Sequence, residues 1–104
     1  RAALDRWPGN LPAAIGLANQ HHQRGAVLEA ALILRQALKR HPESTVVMNN
    51  LAQTLSDQGR NGEALLQIDQ ALALHGPYES EVIATRQLIL ERMGRQGVAV
   101  RAAP

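Results

Sequence analysis

The chain carries four histidines and no cysteine, so its chemistry must be sought among imidazoles, carboxylates, amides and guanidinium groups. His21 and His22 are adjacent. On a helix, adjacent side chains diverge by about 100°, so these two cannot chelate one ion; a helical ligand pair wants an i, i+4 spacing. With no thiolate and no carboxylate at ligand spacing, neither a metal site nor a cofactor is expected. Ser, His and Asp all occur, but without a nucleophile elbow, a Gly-rich phosphate loop or paired carboxylates. The glycines punctuate helices instead, and the chain does not read as an enzyme. Arg35, Lys39 and Arg40 form a basic cluster. A nucleic-acid stripe would need more cations and stacking aromatics, and the chain has one Trp and one Tyr. The cluster reads as a solvated helical face, and no nucleic-acid partner is expected.

The elements that position these residues follow from composition and period. The 104 residues suffice for one small domain. Hydrophobic residues make up 45% of it and aromatics 2%, while 17 Ala and 15 Leu favour helix over sheet. No apolar run approaches the roughly 18 residues of a membrane span, so no membrane insertion is expected. The pI of 9.9 accompanies a net charge of only +2. The lack of cysteine leaves the redox compartment open.

Residue numbers expose an internal repeat of 34. Leu17 and Ala18 recur as Leu51 and Ala52, Gly25 as Gly59, Ala30 as Ala64, Ala37 and Leu38 as Ala71 and Leu72, and His41 as His75. Laying 11–44 over 45–78 gives ten identities without a gap. A further backward shift lands Ala37, Leu38 and Pro42 on Ala3, Leu4 and Pro8, so 1–10 reads as the end of an earlier copy. Each copy predicts two helices. The first runs over about 11–24, capped by Asn10 and ended by Gly25; the second, over about 27–40, carries Leu28, Ala31, Leu32 and Leu38 at helical spacing and stops at Pro42. Ser44 and Asn61 are the expected caps of the next pair. Pro77 is expected to open a fifth helix, with Glu79 and Glu81 in its first turn and Gly94 closing it. Gly97 and Pro104 argue against helix in the tail 95–104, whose Val98 and Val100 are expected to lean on the last helix or on a neighbouring molecule. The alanines at 18, 30 and 37, and at 52, 64 and 71, fall where paired helices would cross closely. His41 and His75 end the second helices, where an imidazole can meet the last carbonyls.

This pattern resembles the tetratricopeptide repeat, a 34-residue helix–turn–helix with small and apolar residues at these offsets and a closing proline. The family's tryptophan is Ala14 and then Met48, its tyrosine His21 and then Leu55, and its final proline Gly76 in the second copy. The resemblance implies an all-α fold of hairpins stacked as a short right-handed solenoid, two full repeats plus a terminal helix. The copies divide as 11–44 and 45–78, with 79–94 as a C-terminal capping helix.

By the same resemblance the first helix of each pair lines a concave groove. Its residues here are Asn19, His22 and Gln23, then Asn49, Asn50, Gln53, Ser56 and Asp57, then Ile83, Gln87 and Glu91. Such an amide-rich surface suits the backbone of an extended peptide, and three helices roughly 10 Å apart would hold about six residues. The family's chaperone-binding members clamp a C-terminal carboxylate. Their asparagine positions fall on Asn19 and Asn50, but their cationic ones fall on Ile15, Ser80 and Ala84, which cannot pair with an anion. That activity is excluded.

The expected function is therefore a protein–protein interaction module. The alternative is a structural or oligomerisation scaffold of a larger protein, with a weak homodimer through the last helix, where Val82, Ile83, Leu88, Ile89 and Leu90 are too many for one face to bury. The start at Arg1-Ala-Ala-Leu, mid-helix in the register, predicts a piece of a longer protein. The segments Arg6-Trp-Pro-Gly-Asn, Val47-Met-Asn-Asn-Leu-Ala-Gln-Thr-Leu and Ala71-Leu-Ala-Leu-His-Gly-Pro are similar to the C-terminal repeats of a family of bacterial cell-envelope proteins with an upstream cysteine-peptidase-like domain. That likeness implies an accessory role and an envelope or periplasmic location, and it transfers no catalytic residue.

Overall fold

A computed structural model describes residues 11–101 as five helices. They are α1 (Leu11–Gln23), α2 (Val27–Arg40), α3 (Thr45–Asp57), α4 (Asn61–Ala73) and α5 (Glu79–Arg101). The helical end of an earlier copy, expected over 1–10, and the Asn10 cap lie outside the described residues. Each helix packs on its successor, and α5 also packs on α3. This is an all-α helical repeat of antiparallel hairpins, each covering the open face of the last.

The seams between helices are alanine. Ala18, Ala30, Ala37, Ala52, Ala64 and Ala71 are each at most 2% exposed. A single methyl group lets the backbones approach, and Leu34, Leu51, Ile68, Val82 and Ile89 fill the space on either side. Ala14 and Met48, standing at the family's tryptophan position, are buried in the same core. Many short contacts replace the few large aromatic ones.

Turn chemistry sets the helix ends. Gly25 and Gly59 take φ of +81° and +80°, a left-handed conformation that a Cβ opposes, and each ends the first helix of its pair. Ser44 caps α3 as expected, its Oγ accepting from the Val47 N–H at 3.3 Å. Asn61 does not cap α4. The Arg60 N–H is drawn back onto the Leu55 carbonyl, Arg60 takes the cap position, and Asn61 becomes the first helical residue with a buried side chain. Likewise α5 starts at Glu79 rather than Pro77, and the Tyr78 carbonyl accepts from Val82.

Two expectations about the second and last helices need correcting. Leu28 and Leu32 do not face the core: they are 70% and 44% exposed, and α2 buries Ala30, Ala31, Ile33, Leu34 and Ala37 instead. The inward arc is that of Ala30, Ile33, Leu34 and Ala37, and at about 100° per residue Leu28 and Leu32 fall on the opposite side of the helix. Nor does Gly94 close α5, which continues through Gly97 to Arg101. Gly94 does not take a positive φ, unlike Gly25 and Gly59. A helical glycine costs only about 1 kcal/mol against alanine, too little by itself to stop a helix already formed over 79–93.

Candidate partner-binding face

The first helices α1, α3 and α5 carry the residues expected to face a partner. Asn19, Gln23, Gln53, Asp57, Ile83, Gln87 and Glu91 are exposed, and His22 and Asn50 are half-buried. Asn49 and Ser56 are corrections, since both are buried. Their helix is the central one, covered by α2, α4 and α5, so positions that would sit at a rim on an end helix are enclosed here. Asn49 is 2% exposed, and its Oδ1 meets no donor.

At one end of these helices the polar residues bind one another. His22 Nε2 on α1 lies 2.5 Å from Asp57 Oδ2 on α3. Arg92 on α5 donates from Nη1 to Asp57 Oδ1 at 3.0 Å and to Ser56 Oγ at 2.8 Å. The Ser56 hydroxyl in turn donates to Asn61 Oδ1 on α4 at 2.6 Å. One chain of hydrogen bonds thus runs across three successive first helices and ties in a second helix. Nearer the middle, Gln53 Nε2 donates to the Thr85 hydroxyl at 3.2 Å.

Sequence reasoning placed His22, Ser56 and Asp57 on this face but missed Arg92. A signal existed. His22 to Asp57 and Asp57 to Arg92 are both separations of 35, one repeat plus one residue, with a carboxylate between two nitrogen bases. His21 is half-buried, and its carbonyl accepts from the Ala26 N–H at 2.8 Å. Among the described residues no group of three or more metal-ligating side chains comes together, and no helix is long and apolar enough to cross a membrane.

A stack of hairpins joined by alanine seams, with polar first helices on one side, is the architecture of a helical repeat protein. The tetratricopeptide repeat family model matches residues 21–84, and the chain belongs to that family. Tetratricopeptide repeats generally mediate protein–protein interaction, and the fold is typically non-catalytic. No curated protein matches the chain.

Proposed function

We propose that this chain is a non-catalytic interaction module whose first-helix face grips an extended segment of a partner protein. The observation that carries this reading is the state of the amides. Asn19, Gln23 and Gln87 are exposed, and no hydrogen bond holds their side chains to another described residue. Exposed Ile83 adds an apolar foothold beside them. Amides offer donors and acceptors together, which matches a peptide backbone; the bonded end at His22, Asp57 and Arg92 then sets the limit of the groove.

The test starts from a peptide selected against the intact chain from a random library. Asn50→Ala and Gln87→Ala should each weaken it by about 1–2 kcal/mol, roughly 5–30-fold, without moving the thermal midpoint. Raising the salt concentration should change affinity little, because the groove amides are uncharged. Unchanged affinity in both variants would shift the reading to a scaffold, for which the exposed Leu88 and Leu90 of α5 supply a surface.

A further inference from the structure

A lone exposed leucine means little, but exposed residues that share one direction describe a surface. On α2, Leu28 and Leu32 are followed by Arg35 and Lys39, all four exposed. At helical pitch these side chains leave the axis within an arc of about 60°. The face is apolar over its first turns and cationic over its last. Its cationic half borders a cleft of about 350 Å³ between α2 and α4, lined by Arg35, Leu38, Lys39, Leu51 and Gln67. Among the described residues no carboxylate lines that cleft. Glu63, 4.0 Å from Arg35, accepts from Nε and Nη2 of Arg60, and Lys39 meets no charged partner among the described residues.

We propose that this outer face, formed by the second helices, docks an amphipathic helix of a partner protein. That helix carries carboxylates in its first turn and leucine-type side chains behind them, and it lies antiparallel to α2. Charge complementarity chooses the occupant, because two cations beside an acid-free cleft recruit carboxylates. Polarity chooses its direction. Carboxylates are favoured at the N-terminal end of their own helix, and they reach Arg35 and Lys39 when that end lies over the C-terminal end of α2. The partner's apolar residues then cover Leu28 and Leu32. This surface is separate from the first-helix face and does not depend on that reading.

The probe is a labelled helical peptide of about 16 residues, with Glu in its first turn and Leu at i, i+3, i+4 and i+7, beside a version with Lys for Glu. Fluorescence anisotropy with the intact chain should show saturable binding of the acidic peptide and about tenfold weaker binding of the basic one. Lys39→Glu should cost the acidic peptide about tenfold, and Arg35→Glu with Lys39→Glu should reverse the preference. Gln87→Ala, on the other face, should change nothing. Lys39→Glu alone alters a side chain with no charged partner among the described residues, so it keeps the test readable if the double variant loses its helical circular dichroism. Absence of saturable binding, or affinity indifferent to Lys39→Glu, would overturn the proposal. So would loss on Gln87→Ala instead, which would assign the peptide to the first-helix face.

Discussion

Asp57 sits between His22 and Arg92, and its two carboxylate oxygens serve different helices. Its side chain keeps 29% of its surface in water, so each bridge is screened and worth little by itself. Asp57→Ala removes both at once and leaves Arg92 with Ser56 alone. The expected loss is about 1 kcal/mol, read from the urea midpoint at constant slope. An unmoved midpoint would show that the bridges orient the helices without stabilising them. Asn49 presents the opposite case, a buried amide whose carbonyl oxygen has no donor. Nothing in the sequence marks it, since its enclosure depends on three neighbouring helices rather than on its own flanks.

At the scale of the helix, the alanine seam is the controlling device. Ala64 is fully buried where α4 meets its neighbours, and Ala64→Leu should cost about 1–3 kcal/mol by forcing the axes apart. A variant with the wild-type denaturation midpoint would remove the seam from the account. These seams were legible in the sequence, because a repeat of 34 puts the same small residue at the same crossing twice. So were the ends at Gly25 and Gly59, where a backbone conformation demands glycine. Which residues of α2 turn inward was not legible. Two opposite arcs of α2 carry apolar residues at helical spacing, and only the packed neighbours select the one with Ala30, Leu34 and Ala37 over the one with Leu28 and Leu32. The length of α5 was misread for a related reason. A glycine ends a helix when the chain must turn, and Gly94 faces no such demand. On the candidate face, the amides could be placed from the register, but Ser56 could not, because its partners come from α4 and α5.

Across the whole molecule, α5 leaves apolar surface open, as α2 does at Leu28 and Leu32. It buries Val82 and Ile89 but exposes Ile83, Leu88 and Leu90 at 44%, 37% and 39%. We predict that these three large apolar side chains drive weak self-association. Sedimentation across a concentration range should show mass rising in the high micromolar range, and Leu88→Ser with Leu90→Ser should abolish the rise. A monomer at every concentration would mean that these side chains do not drive association.

The chain of bonds from His22 through Asp57 to Arg92 also has a mechanical consequence. These side-chain links join positions 35 and 36 apart. Among the described residues each helix packs on its successor, so the hairpins are coupled neighbour to neighbour. At that edge the links between successive first helices are His22, Asp57 and Arg92, so the coupling of neighbouring hairpins there depends on three polar side chains.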